Sequence, residues 1–197
     1  MDDFTRLYNE IYVMPESAAR VEAIKDAIRI ADQSNENAYS HKFRKMLIDD
    51  ASYSGNYSDV RDGLTAISWI ISDLDKNKKP VTLSIVDKYQ WIVRWIPLCP
   101  EIPKENILRL LDDLKKRITD MGYGLRGYYE ALLSYGIEVD EPEIADMAYK
   151  ESNKGKKDYF VDCDACIACR KIKYQRYKGN LKEALKLAEI YKKTSCN

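Results

Sequence analysis

Three observations predict an all-α protein. Only 8 glycines and 6 prolines occur in 197 residues, too few for the many turns of a β protein. Apolar residues recur at helical spacing over long stretches. No run alternates strictly between apolar and polar residues, as a half-buried strand would. The spacing is clearest in three stripes: Val60, Leu64, Ile67, Ile71 and Leu74; Ile107, Leu110, Leu111, Leu114, Ile118 and Met121; and Val161, Ala165, Ala168 and Ile172. Each stripe runs down one face of a helix.

Punctuation then divides the chain into about ten helices: 2–13, 15–32, 36–54, 57–76, 82–97, 103–121, 124–135, 140–152, 160–178 and 180–193. The first ends at Met14-Pro15, and Pro15 suits the first turn of the second, where its missing N–H costs nothing. Gly55-Asn56-Tyr57 parts the third helix from the fourth, and Ser58 and Asp59 precede the Val60 stripe as capping residues. Lys78-Lys79-Pro80 reads as a solvated connector. The stretch Pro97 to Pro103 turns the chain into the sixth helix, with Pro103 in its first turn. Gly136-Ile137-Glu138 separates the seventh from the eighth, whose start carries Asp140 ahead of Glu141-Pro142-Glu143. Lys154-Gly155-Lys156-Lys157 leads to the ninth, and Gly179-Asn180-Leu181 to the last. Gly55 and Gly136 are 81 residues apart, about two periods of 40, and Gly136 and Gly179 are 43 apart. Regular turns joining paired helices predict one helical-repeat domain over 1–197, with pairs at roughly 2–32, 36–76, 82–121, 124–152 and 160–193.

The charge balance narrows function. The 32 basic and 32 acidic side chains cancel, which argues against a protein built to hold a nucleic acid backbone. No stretch approaches the ~20 apolar residues that cross a bilayer, and the first residues carry no signal-peptide pattern. A cytoplasmic protein is expected. Enzyme motifs are missing: there is no Gly-rich phosphate loop, no G-x-S-x-G and no H-E-x-x-H. The single histidine, His41, lies in a polar stretch and reads as a surface residue. Consecutive carboxylates such as Asp49-Asp50 and Asp112-Asp113 diverge by about 100° on a helix and do not share a substrate. The expectation is a non-enzyme.

Local motifs carry a resemblance. Tyr177-Lys178-Gly179-Asn180-Leu181-Lys182-Glu183-Ala184 resembles the turn of a tetratricopeptide repeat, where Gly ends the first helix and a small Ala packs early in the second. Ser54-Gly55-Asn56-Tyr57-Ser58-Asp59 is similar, with Val60 in place of that Ala. Residues 85–197 also resemble a group of uncharacterised bacterial tetratricopeptide-like proteins. The matching residues are Tyr89-Gln90-Trp91-Ile92, Pro100-Glu101-Ile102, Leu110-Leu111-Asp112-Asp113, Gly122-Tyr123-Gly124-Leu125-Arg126, Asp162-Cys163-Asp164-Ala165-Cys166 and Cys196. The resemblance implies a right-handed α-α superhelix of about five helix pairs, a scaffold that binds a protein or peptide along its concave face. It assigns no reaction.

In such repeats the first helix of each pair lines the groove, at positions ten and six residues before the turn glycine. Counted from Gly55, these are Lys45 and Asp49; from Gly136, Arg126 and Glu130; from Gly179, Cys169 and Lys173. With the middle turn at Pro97 they are Asp87 and Trp91, with Arg94 one turn on. Trp91 and Arg94 are side chains of the kind that anchor interfaces, although Trp91-Ile92-Val93-Arg94-Trp95 also predicts at least one core Trp. The 15 tyrosines suit seams between helices, where a ring is buried and its hydroxyl stays wet.

The odd number of cysteines, five, has a pattern. Cys163, Cys166 and Cys169 fall at steps of three on one helix face, and Cys196 follows 27 residues later, where an antiparallel last helix returns it toward Cys163. Three readings stay open. Thiolates at a helix N-terminus suit a structural zinc ion held by Cys163, Cys166, Cys196 and either Cys169 or water. An iron–sulfur cluster would need a local fourth Cys before a Pro, and only the distant Cys99-Pro100 has that order. Ordinary half-buried thiols, reduced or joined as a Cys163–Cys196 disulfide, are the third reading, and isolated Cys99 reads as a buried thiol. A homodimer is compatible with all of them. The metal or redox reading makes the C-terminal pair a responsive module.

Overall fold

The structure is a computed structural model that describes residues 2–54 and 57–192, with the side chains of 52–54 and 57 excepted. Among the described residues every regular element is helical: α1 (Asp3–Tyr12), α2 (Ala18–Gln33), α3 (Asn37–Ser54), α4 (Tyr57–Lys76), α5 (Leu83–Trp95), a 3-10 turn (Ile96–Leu98), α6 (Lys104–Asp120), α7 (Arg126–Glu138), α8 (Pro142–Ser152), α9 (Asp164–Tyr177) and α10 (Leu181–Tyr191). No described helix is long and apolar enough to cross a membrane. The all-α expectation holds.

Side-chain caps start the first two helices. The Asp2 carboxylate accepts the Thr5 N–H at 2.8 Å, and the Ser17 hydroxyl accepts the Arg20 N–H at 3.2 Å. Pro15 therefore precedes α2 rather than opening it. Helix ends are closed in one recurring way. Asn35, Lys78, Gly122, Asp140 and Gly179 all adopt positive φ, between 52° and 78°. At each, the next N–H reaches back across the last turn: Glu36 to Ala31, Lys79 to Leu74, Tyr123 to Ile118, Glu141 to Gly136 and Asn180 to Gln175, at 2.8–3.2 Å. This six-to-one bond satisfies a carbonyl that the helix leaves over.

One expected turn moves. Gly136 is not between helices but inside α7, and the chain turns at Asp140 instead. The physical reason is proximity: a Cβ on Gly136 would lie 2.6 Å from the Ala145 nitrogen of α8. The glycine lets two helices touch rather than letting the chain bend. Gly55 and Asn56 lie outside the described residues.

Contacts gather the chain into two compact units, Met1–Ile92 and Val93–Asn197. In the first, α2 packs on α3 and α3 on α4, burying Ile24, Ala27, Phe43, Leu47, Ile67 and Ile70. Arg44, itself buried, reaches the two Asp32 oxygens at 2.7 and 2.9 Å and stacks on Trp69 at 3.8 Å, so one guanidinium joins α2, α3 and α4. His41 is half-buried beside it, 2.9 Å from Asp73 and edge-on to Trp69. It is not the plain surface residue its polar neighbours suggest. In the second unit α7 pairs with α8 and α9 with α10. Leu111, Leu114, Ile118, Tyr135, Ala145 and Phe160 form the core there, and Tyr149 stacks on Tyr174 at 3.8 Å across α8 and α9.

Candidate functional site

A concave feature lies in the first unit, between α3, α4 and the start of α5. It is a cavity of about 120 Å³ lined by Lys45, Ile48, Asp49, Ile67, Ile70, Thr82, Ser84, Ile85 and Lys88. Helical spacing builds it. Lys45, Ile48 and Asp49 share one face of α3, at steps of three and four residues. Ile67 and Ile70 do the same on α4, as do Ile85 and Lys88 on α5. Ile48, Ile67, Ile70 and Ile85 are all buried and form an apolar floor. The polar residues stand at the mouth, where Lys88 and Asp49 pair at 2.6 Å. Thr82 and Ser84 bring the first turn of α5 to the same mouth, with the positive end of its dipole.

This cavity collects two of the groove candidates, Lys45 and Asp49. The others go elsewhere. Asp87 and Trp91 are half-buried on α5, and Lys173 is exposed and paired with Glu138. Arg126 donates to the Gly155 carbonyl at 3.2 Å.

Arg94 and Glu130 are a correction: expected on an open groove, they are 5% and 2% exposed. Arg94 donates to both oxygens of Asp162 at 2.7 Å and lies 3.4 Å from Glu130. Arg170 donates to Glu130 at 2.9 Å and also pairs with Asp162, while Arg126 stands 3.6 Å from Glu130. Three arginines thus surround two carboxylates within the second unit. Burial pushes Glu130 above the ordinary carboxylate range, although Arg170 and Arg94 oppose it. For Asp162 burial acts the same way, but Arg94 and Arg170 outweigh it and hold the carboxyl below its usual value. Beside this network the space shrinks to about 10 Å³, enough for about one water. The network fastens the last turn of α5, within the second unit, to α7, α9 and the segment before α9. It offers no room for a substrate.

Compared with protein-family models, curated proteins and solved structures, the chain matches none.

Cys99 is buried, Cys163 caps α9, and Cys166 and Cys169 follow on its first two turns, Cys169 exposed. Among the described residues no three His, Cys, Asp or Glu side chains converge to hold a metal ion. Cys196, which the zinc reading joins to Cys163 and Cys166, lies outside the described residues.

Sequence reasoning missed the isoleucine floor and Lys88, because a cavity between three helices depends on their pairing. It also missed Asp162 and Arg170. A signal for the first of these was present: Asp162 follows Phe160-Val161, and a charge beside two large apolar residues needs a buried partner.

Proposed function

We propose that this chain is a cytoplasmic helical-repeat scaffold, tetratricopeptide-like and superhelical, that binds a protein or peptide partner and performs no catalysis. The observation that carries the reading is the size and lining of the α3–α4–α5 cavity. At about 120 Å³ it is well below the ~300–1,000 Å³ of ordinary cofactor and substrate pockets. It matches a single apolar side chain, and its wall of four isoleucines suits one. A site that takes one side chain takes it as part of a longer chain lying across the surface. Two further observations support the repeat reading. The helices from α1 to α4, and those from α6 to α10, each pack on the next, and the helix closures at Asn35, Lys78 and Gly122 are 43 and 44 residues apart, near the period of a two-helix repeat.

The test places a photo-crosslinking residue at Ser84, at the mouth, and a second at Lys186, on exposed α10, as a control. A partner captured at Ser84 but not at Lys186, and lost when Ile85→Trp fills the cavity in a chain that melts normally, supports the reading. Capture that is equal at both positions and indifferent to the filled cavity removes the cavity from partner binding.

A further inference from the structure

Resting on that reading, we propose that the cavity selects a partner segment in which an aliphatic residue stands beside an acidic one. The aliphatic side chain fills the isoleucine pocket and the carboxylate meets Lys45.

The floor fixes the first half. Ile48, Ile67, Ile70 and Ile85 offer the occupant no hydrogen-bonding side-chain atom, so a polar group pushed down among them would lose its water without replacement. The volume fixes the kind of apolar group. A dry cavity of about 150 Å³ holds benzene; at about 120 Å³ this one suits the branched end of a Leu, Ile or Val more than an aromatic ring with its linker. Burying one such side chain makes an anchor but is too little for a stable complex alone. Neighbouring residues of the partner must contribute the rest.

The mouth fixes the second half. Its three charged residues are Lys45, Asp49 and Lys88, a net positive charge. Asp49 is already held by Lys88 at 2.6 Å. Lys45 is exposed on α3, one turn before Asp49, and has no ion-pair partner among the described residues. A carboxylate one residue from the anchored side chain reaches Lys45 without displacing Asp49 from Lys88. A cation there would face two lysines and the N-terminal end of α5. Charge complementarity at a rim sets specificity more than raw affinity, so the preference is a difference between segments that share the same anchor.

The experiment uses the whole chain and four blocked hexapeptides that differ only at two central positions: Leu-Glu, Leu-Lys, Leu-Gln and Ser-Glu. Binding is read from the methyl resonances of Ile48, Ile67, Ile70 and Ile85, which report this cavity and tolerate weak affinity. The Leu-Glu peptide is expected to bind tightest, roughly three- to tenfold tighter than Leu-Lys, as one exposed pair gained and one repulsion avoided would give. Ser-Glu should leave the methyls unmoved. In Lys45→Glu, an exposed change that leaves the floor intact, the order of Leu-Glu and Leu-Lys should reverse. Equal binding of Leu-Glu and Leu-Lys to the wild type, or an unchanged order in Lys45→Glu, overturns the acidic preference while leaving the peptide-binding reading in place. If no Leu peptide moves the methyls, both fall. If isovalerate alone moves them as strongly as the Leu-Glu peptide, the occupant is a free aliphatic carboxylate and the peptide assignment is overturned.

Discussion

Replacing Asp162 by Asn is expected to cost about 3 kcal/mol, far more than an ordinary loss of charge. The change keeps side-chain volume and one acceptor oxygen but removes the charge that faces Arg94, which is 5% exposed. Unit charges 2.7 Å apart attract by about 6 kcal/mol at an effective dielectric of ~20. Desolvation of both groups offsets part of this in the wild type, and in the variant Arg94 keeps its desolvation cost with less compensation. Breaking buried pairs typically costs about 3–5 kcal/mol. Glu130 softens the loss, since Arg94 and Arg170 remain within 3.4 and 2.9 Å of it, which places the variant at the low end. For a chain of this size that is a fall in Tm of roughly 6–12 °C. The control is Asp120→Asn, which removes the Lys116 pair at the surface, 74% and 60% exposed; there the effect should stay within about 0.5 kcal/mol. Both are measured by urea denaturation at neutral pH. Equal stabilities of the two variants would refute the claim that the network is desolvated. The double variant Arg94→Met with Asp162→Leu adds a second check, because removing both charges should cost less than the two single changes added together.

Two other predictions concern the same unit. Gly127→Ala should destabilise by roughly 1–3 kcal/mol in denaturant melts, because its Cβ would sit 2.3 Å from the Phe160 carbonyl oxygen; the better helix propensity of Ala, about 1 kcal/mol, does not compensate for moving backbone. Tyr174 is pushed up to about 12, by burial first and then by the hydroxyl it donates to Asp146 at 2.8 Å. A raised folded value means stability that is complete below pH ~10 and lost as the pH climbs through 12, at most about 2.7 kcal/mol for two units. Tyrosinate absorbance of the wild type minus Tyr174→Phe should show this late group, and a difference curve centred near 10 would contradict it.

The helices were legible because their stripes are. Val60 to Leu74 and Ile107 to Met121 need no tertiary information: each repeats an apolar residue every three or four positions, and α4 and α6 follow. The turns were less legible. Three of the five positive-φ closures use Asn35, Lys78 and Asp140, residues that also occur anywhere on a polar surface. Gly136, which looked like a turn, serves a close approach to Ala145 instead. Glycine has two uses, left-handed backbone and the absence of a Cβ, and sequence spacing alone does not separate them.

That ambiguity propagates directly into the site. Lys45 and Asp49 line the cavity because α3 runs uninterrupted to Ser54, the residue before the glycine that sets their count. Glu130 was counted from Gly136, whereas α7 continues to Glu138; a shift of about three residues turns a helix by ~300°, enough to move a position from one face to its flank. Arg94 was placed by the same counting from Pro97, against its own surroundings. In Ile92-Val93-Arg94-Trp95-Ile96 a cation sits inside an apolar run, and Phe160-Val161-Asp162 puts an anion at the end of another. Charged residues are almost never fully buried unless paired. Two such charges of opposite sign in one chain are therefore candidates for each other, however far apart in sequence, and here they meet at 2.7 Å across 68 positions. Apolar context around a charge was a better guide to its place than its distance from a glycine.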